Sequence, residues 1–417
     1  MLYIKTFLFI SGITSVLIGL YYNENTSGGA EFDHNYLLPF INEFSINFSN
    51  GLFFFFSDSG SLVHSPVFYI VAGNLLNFFG NLEYLKIFYI LLSSLLPLLF
   101  YQILRYQKKD NFYVFLFSLI LFFSPYFRSS SIWLLGDNLS LILFSISIIF
   151  YLKQEKNNDI SSCYLSILFL ALCCYVRYYY FPFFFFYIFI YFKKHNYKDI
   201  IYLIIFSFLL SLPAISYLVY VIKFYNFLMF LDLKGGHSLQ NYSTNFFVIL
   251  TIILFYLIPF IFVFYRELNI YILREKKRIF FILLIFLFIY FLDLFFYEKL
   301  IFFRESNYGG GVIKKTLDLF SENNELLIVL IAYISLIIFD FLSKDNRVHN
   351  YLLLSCLIMS FPFIYLFQKY LDPLIYLVIF GLIKSNQILI ILDKLKNYLY
   401  LYYGYFIFFF IVTLIRY

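Results

Sequence analysis

The sequence predicts an all-α, polytopic integral membrane protein, and three observations carry this prediction. Hydrophobic residues fill 63% of the 417 positions, whereas Asp, Glu, Lys and Arg together fill only 13%. A soluble domain has roughly 45–50% apolar and about 25% charged residues, so this chain cannot cover a water-exposed surface. Disorder requires low hydrophobicity and high charge, which is the opposite composition. Long apolar runs between short basic segments predict about 11–13 transmembrane helices of about 20 residues each.

Two features of the composition do not indicate a functional site. The chain has 62 Phe and 42 Tyr but one Trp, whereas interfacial belts use both Trp and Tyr. Phe, Tyr, Ile, Asn and Lys have AT-rich codons, so the excess indicates genome composition. The cysteines lie in apolar runs without metal-ligand spacing, which predicts helix packing rather than disulfides or zinc. They are Cys163, Cys173, Cys174 and Cys356.

The first helix and the acidic segment after it set the predicted topology. Residues 2–20 are apolar except for Lys5, and no signal-peptidase site follows, which favours a retained first helix over a signal peptide. Basic residues mark the cytoplasmic side, so Lys5 predicts a cytoplasmic N-terminus. No Lys or Arg occurs between Lys5 and Lys86. We therefore expect residues 22–83 to form an outer loop with an acidic motif, in which residues 64–80 are an interfacial or re-entrant helix.

The remaining helices follow from the apolar runs between basic clusters. As one helix, residues 160–191 would be about 48 Å long at 1.5 Å per residue, so two short helices with a tip near residues 177–182 are expected. Two further helices meet at an outer tip at residues 368–370. The other predicted helices cover about 84–104, 111–126, 134–152, 200–222, 245–266, 279–297, 325–343 and 398–415. No internal repeat is visible across this single predicted domain of residues 1–417, which argues against an inverted-repeat transporter.

The predicted outer face collects the ionisable residues that are candidates for function. Ionisable groups at membrane depth are costly, which makes them functional candidates by default. The candidates are Glu31, Asp33, His34, His64, Arg128, Asp137, Arg177, Lys234, His237, Arg304 and Lys369.

Each of these candidates has a functional and an ordinary interpretation. Arg177 and Lys369 are either cations that bind a phosphate or long side chains that extend to the interface. Glu31 and Asp33 are either a general base and its neighbour or solvated acids of a loop. Lys234-Gly-Gly-His237 is a weak anion-binding pattern.

In the order of these features the chain resembles the type-C (GT-C) membrane glycosyltransferases, which use lipid-phosphate-linked sugars as donors. Glu31-Phe-Asp33-His34 resembles the acidic motif of that family's first outer loop, and His64-Ser-Pro-Val-Phe-Tyr69 resembles the segment after it. Within the family, the position of Arg177, Gly235-Gly-His-Ser238 and Lys369-Tyr-Leu-Asp-Pro373 are similar to the dolichyl-phosphate-glucose α-1,2-glucosyltransferase branch. The first motif departs from the commoner adjacent pair of acids because Phe32 separates them. The base is therefore Asp33, which we favour, or Glu31.

The resemblance implies an inverting transferase that needs no metal or other cofactor and acts at the periplasmic or lumenal face. It implies that Asp33 accepts the proton of the acceptor hydroxyl, and that Arg177, then Lys369, His237 and Lys234, hold the donor phosphate. The implied partners are a polyprenyl- or dolichyl-phosphate sugar, a glycan, lipid-linked or protein acceptor, and the bilayer, without nucleic acid. The implied location is a bacterial plasma membrane or an endoplasmic reticulum membrane.

Two other functions remain open on the sequence. A lipid-linked glycan flippase or transporter predicts charges along a path to the cytoplasmic side, whereas the charges here cluster on the outer face. A surface-polysaccharide polymerase or ligase predicts a large Arg-rich outer loop, which the sequence lacks.

Overall fold

The computed structural model describes residues 2–57, 65–107, 112–225, 239–297, 310–320, 325–361 and 366–416. Every regular element within these ranges is helical, which confirms the all-α class. Seven of the described helices are long and apolar enough to cross a membrane, or nine if each of two bent pairs is one span. This number fits a multi-pass integral membrane protein. Other apolar runs of the sequence form shorter apolar helices of 10–17 residues.

The chain divides into two compact units. One unit comprises residues 1–233 and 403–417, and the other comprises residues 234–402. The helices of the first unit are α1 Leu2–Tyr21, α2 Ala30–Ile46, α3 Phe48–Ser57, α4 Val67–Phe79, α5 Leu82–Ser93, α6 Leu95–Gln107, α7 Phe112–Ser118, α8 Pro125–Ile132, α9 Gly136–Asn157, α10 Ile160–Val176, α11 Phe183–Phe192 and α12 Tyr197–Tyr225. The later helices are Leu239–Arg274, Lys276–Tyr297, Gly311–Asp318, Glu325–Leu342, Arg347–Met359, Leu374–Leu377, Asn386–Asp393 and Leu395–Arg416.

The predicted first outer loop is largely helical. Glu31 and Asp33 lie in the first turn of α2 rather than in a loop, where negative charge is favoured by the helix dipole. The helices α2 and α4 approach closely at Gly73, since a Cβ there would lie 2.6 Å from the Cβ of Phe44 and 2.8 Å from the carbonyl oxygen of Ile41. The predicted helix at 64–80 is present as α4, and its first predicted residue, His64, lies outside the described residues.

The helix predicted at residues 111–126 ends earlier than expected. A sharp bend of 63° separates residues 112–123 from Pro125–Ile132. Ser124 caps the second helix, because its hydroxyl accepts a hydrogen bond from the Phe127 backbone N–H at 3.1 Å. Pro125 occupies the first helical turn, where a missing N–H costs nothing. This Ser-Pro start signal ends the preceding helix and directs α8 into the buried interior of the unit.

The apolar run 160–191 breaks where the sequence predicted. The helix α10 ends at Val176, a short 3₁₀ turn covers Tyr178–Tyr180, and α11 begins at Phe183. Asp159 starts α10 by accepting the Ser161 backbone N–H at 3.1 Å, and hydrogen bonds from the two following serines hold the pKa of this carboxyl below its usual range. The break places Arg177 at the tip between two short helices, as expected.

The cysteine prediction agrees with the described packing. All four cysteines are free thiols, and three of them are buried. The fourth, Cys174, is partly exposed.

In the second unit, the segment after the predicted tip at residues 368–370 is strongly bent. Residues Leu374–Leu382 and Asn386–Asp393 meet at an angle of 107°. Ser385 caps the second piece by accepting the Gln387 backbone N–H at 3.2 Å, so a local capping signal again interrupts an apolar run.

Candidate functional site

Asp33 and Glu31 point in different directions. Residues two positions apart lie about 200° apart around a helix axis, so the first turn of α2 separates the two carboxylates. Asp33 is half-buried, whereas Glu31 is exposed. Of the two carboxylates, Asp33 is therefore the one that faces other groups of the unit.

Arg177 forms an ion pair with Asp137, which the sequence analysis had treated as a separate candidate. A terminal nitrogen of Arg177 donates to Asp137 Oδ2 at 2.8 Å, and both side chains are 16% exposed. The Tyr179 hydroxyl donates to Asp137 Oδ1 at 3.1 Å. Asp137 lies in the first turn of α9, where the helix dipole also stabilises its charge. The guanidinium is thus oriented by the start of one helix and the end of another.

Tyr69 lies within electrostatic range of both this ion pair and Asp33. The side chain of Tyr69 is buried in α4, and its hydroxyl interacts electrostatically with Arg177, Asp137 and Asp33, and with Tyr36. Burial raises the pKa of this hydroxyl above its ordinary value, which keeps it protonated and able to donate. The three charged candidates on α2, α9 and the α10–α11 tip therefore belong to one polar cluster.

The segment between α8 and α9 fixes the position of Asp137. The Leu139 backbone N–H donates to the Tyr89 hydroxyl at 3.3 Å, and that hydroxyl donates to the Leu135 carbonyl oxygen. Leu134 adopts a positive φ of 52°, a left-handed conformation that costs a branched residue about 1–2 kcal/mol. Strain of this kind persists only where the surrounding contacts enforce one conformation, so this connection is closely determined.

A second polar cluster lies around the only tryptophan of the sequence, Trp133. The His34 ring is buried and lies 5.8 Å from the Trp133 ring, and the Lys86 ammonium lies 5.4 Å from the centre of that ring. The Trp133 indole N–H donates to the Glu24 carbonyl oxygen at 2.9 Å. Burial first, and then the charge of Lys86, lowers the pKa of His34 to about 4. His34 is therefore neutral at physiological pH.

Arg128 is committed to contacts within the chain. Its Nε donates to a Glu24 carboxylate oxygen at 2.7 Å, one terminal nitrogen pairs with the other oxygen, and the guanidinium also donates to the carbonyl oxygen of Ser15 at 2.9 Å. The side chains of Arg128 and Glu24 are 6% and 7% exposed. These contacts join α1 to α8, so Arg128 helps to hold the first unit together.

The other predicted cations are described only in part. Lys369 is half-buried in the second unit, with its ammonium 5.4 Å from the Phe367 ring and 5.6 Å from the Tyr370 ring. The neighbouring Gln368 accepts the Val312 backbone N–H at 2.9 Å and so anchors this tip. The candidates His64, Lys234, His237 and Arg304 lie outside the described residues.

The sequence missed several members of the first cluster. Tyr36, Tyr69, Tyr89 and Tyr179 are tyrosines in a chain with 42 of them, so their type gave no signal. Tyr69 closes the His64–Tyr69 motif, which was the one pattern that could have identified it. The sequence also gives no functional signal for Lys86 of the second cluster, which only ends the stretch without Lys or Arg.

The described residues contain no group of three or more His, Cys, Asp or Glu side chains that could hold a metal ion. A small cavity of about 10 Å³ in the second unit is lined by apolar residues such as Ile253, Phe339 and Leu357. It contains no group capable of proton transfer or anion binding, so the polar clusters of the first unit remain the candidate site.

Fold and site together define a polytopic helical membrane protein with an acid, an oriented guanidinium and a buried tyrosine in one cluster. Comparison of the chain with protein-family models, curated proteins and solved structures found no match. The sequence motifs and the geometry of the polar clusters in the first unit are therefore the basis for assigning a function.

Proposed function

We propose that the protein is a membrane glycosyltransferase that uses a lipid-phosphate-linked sugar as donor. The observation that carries the proposal is that half-buried Asp33 and the Arg177–Asp137 ion pair both lie within electrostatic range of the same buried tyrosine, Tyr69. A transferase of this type needs one carboxylate to accept a proton and one cation near the leaving phosphate. The described cluster contains both groups in a chain that fits a multi-pass membrane protein.

In the proposed reaction, the oxygen of the acceptor hydroxyl attacks the anomeric carbon of the donor sugar. Its proton passes to Asp33, and the bond between the anomeric carbon and the phosphate oxygen breaks. The lipid phosphate leaves with that electron pair, and Arg177 stabilises the negative charge that develops on it. A single displacement inverts the anomeric centre, so a second nucleophilic carboxylate is not required.

Asp137 sets the properties of Arg177 in this mechanism. Because one carboxylate already pairs with the guanidinium at 2.8 Å, the pair carries little net charge before the donor binds. Its role is to hold the planar donors of Arg177 in one orientation, which reduces the reorganisation needed when the phosphate arrives.

The proposed location follows from the charge distribution. Lys5 and the later basic clusters indicate a cytoplasmic N-terminus, and the base-free acidic segment indicates that Asp33 faces the periplasm or the lumen. A bacterial plasma membrane or an endoplasmic reticulum membrane both fit this arrangement.

The test uses membranes that contain the full-length protein and a radiolabelled polyprenyl-phosphate sugar. We expect sugar transfer to a membrane acceptor together with release of polyprenyl phosphate in equal amounts. Movement of the intact sugar lipid across the membrane without release of polyprenyl phosphate would contradict the proposal and favour a flippase. Repeated extension of a polysaccharide chain from a lipid-diphosphate donor, with no use of the monophosphate donor, would favour a polymerase.

A further inference from the structure

The second unit contains an ionised cluster that the proposed reaction does not use. It lies where two candidate membrane spans end, because residues 245–274 and 325–342 both terminate beside it. Asp340 is fully buried near the end of its span, while Arg278 and Arg347 belong to the first turns of the helices Lys276–Tyr297 and Arg347–Met359. A transmembrane helix ends at the level of the lipid headgroups, so this cluster lies at the membrane–water interface.

One arginine already satisfies the buried carboxylate. Arg278 donates to both oxygens of Asp340 from Nε and a terminal nitrogen, each at 2.8 Å. The hydroxyls of Tyr271 and Tyr351 donate to the same carboxylate at 2.5 Å and 2.9 Å. Asp340 therefore has two oxygens and four donors before Arg347 is considered.

Arg347 is left with a charge that Asp340 does not fully offset. Its Nε lies 3.6 Å from Asp340 Oδ1, which is beyond a hydrogen bond, and this buried nitrogen has no hydrogen-bond partner among the described residues. A terminal nitrogen of Arg347 donates to the Tyr271 hydroxyl at 3.2 Å. The Arg347 side chain is 35% exposed, so the rest of its guanidinium is open to a ligand from the interface.

The local field adds to this positive charge. The starts of two helices, of 22 and 13 residues, lie at the cluster, and the positive end of each helix dipole favours an anion there. Residues 274–278 carry four cations and one acid. Guanidinium groups bind phosphate oxygens in pairs with planar geometry, which an ammonium cannot reproduce. Basic pockets at the ends of transmembrane helices bind lipid headgroups in this way.

We infer that Arg347, held beside the Arg278–Asp340 pair, binds the phosphate of an anionic phospholipid headgroup at this end of the second unit. The net positive charge selects a lipid with one net negative charge, such as phosphatidylglycerol, over zwitterionic phosphatidylcholine. The inference is independent of the proposed sugar transfer, because no residue of the first unit takes part in it.

The test is native mass spectrometry of the detergent-solubilised full chain, titrated with phosphatidylglycerol or with phosphatidylcholine. We expect the chain to bind phosphatidylglycerol more tightly, and Arg347→Gln to weaken that binding about tenfold, since charge-assisted hydrogen bonds to phosphate are lost. Asp340 keeps Arg278 and both tyrosine donors in this variant, so the cluster stays paired. Arg347→Lys should restore less than half of the lost binding energy, because an ammonium lacks the planar donors.

Lys276→Gln is the matched control, since it removes one exposed positive charge from the start of the helix Lys276–Tyr297, which carries Arg278 of the same cluster. Unchanged binding in this control, with loss in Arg347→Gln, supports a specific site. Equal weakening in both variants would show a general attraction of charges and overturn the inference. Displacement of phosphatidylglycerol by millimolar inorganic phosphate would overturn the assignment to a lipid.

Discussion

Replacing Arg128 by Gln should destabilise the first unit without acting on the chemistry. Arg128 makes a paired contact with Glu24 and donates to a carbonyl oxygen of α1. Both charged side chains are at most 7% exposed, so solvent does not screen the loss. Removing one partner of such a buried pair costs about 3–5 kcal/mol, because the other charge is left buried and unpaired.

The effect can be measured as a thermal midpoint in lipid nanodiscs. At about 2 °C per kcal/mol, the lower end of the range for domains of 150–250 residues, the loss corresponds to about 6–10 °C. Arg105→Gln is the control, because Arg105 is an exposed arginine in the last turn of α6 and should shift the midpoint by less than about 1 °C. The double variant Glu24→Gln with Arg128→Gln should recover much of the loss, since no charge remains buried.

Two results would contradict this prediction. If Arg128→Gln melts like the unmodified protein but loses sugar transfer, Arg128 faces the substrate and its contacts with Glu24 do not hold the fold. Failure of the double variant to recover stability would also contradict the charge argument, and would assign the loss to packing of the Arg128 side chain.

Three further predictions concern the candidate site. Arg177→Gln should lower transfer at least about 100-fold, a loss typical of one donor to a developing charge, while membrane yield falls less than twofold; parallel loss of yield and transfer would contradict this. Tyr69→Phe removes the buried hydroxyl that lies within electrostatic range of Asp33 and Arg177, and should lower the turnover number about tenfold with little change in thermal midpoint; an unchanged turnover number would exclude Tyr69 from the site. Because the pKa of His34 is depressed to about 4, the unfolded chain binds more protons than the folded chain between about pH 4 and 6.5, so stability falls as the pH falls. Between pH 7 and pH 5 the free energy of unfolding should fall by about 2 kcal/mol because of His34. His34→Gln should abolish this fall when thermal melts at the two pH values are compared, and an equal fall in the variant would contradict the prediction.

The long apolar runs were predictable from the sequence because bilayer thickness fixes their length. The helices around residues 84–104, 134–152 and 398–415 appear as Leu82–Gln107, Gly136–Asn157 and Leu395–Arg416. The break near Arg177 was also predictable, since 32 apolar residues exceed one crossing.

The interruptions inside apolar runs were harder to predict. Ser124 and Ser385 each accept a backbone N–H at the start of a new helix, and each cap is a single residue. Hydropathy averages over many residues and hides a one-residue cap. The helical state of the acidic motif was missed for a different reason, since α2 begins at Ala30 without a side-chain cap that would mark its start.

Pairing of the charges could not be read from the sequence. Asp137 and Arg177 lie 40 positions apart, and Glu24 and Arg128 lie 104 positions apart. The family resemblance favoured Arg177 over Arg128, although each arginine is a cation in an apolar setting. The packing of α1 against α8 brings Arg128 to Glu24 and to the backbone of α1. The packing of α9 against α10 brings Arg177 to Asp137.

The central claim, that Asp33 is the base of a sugar transfer, is tested most directly by comparing Asp33→Asn with Glu31→Gln in the same membranes. Both variants remove one carboxylate from the first turn of α2, so both alter the helix dipole interaction alike. The assignment of Asp33 as the base predicts that Asp33→Asn lowers release of polyprenyl phosphate at least about 100-fold. Release by Glu31→Gln should stay within about twofold of the unmodified protein. Transfer by Asp33→Asn within severalfold of the unmodified protein, or an equal loss in both variants, would contradict it.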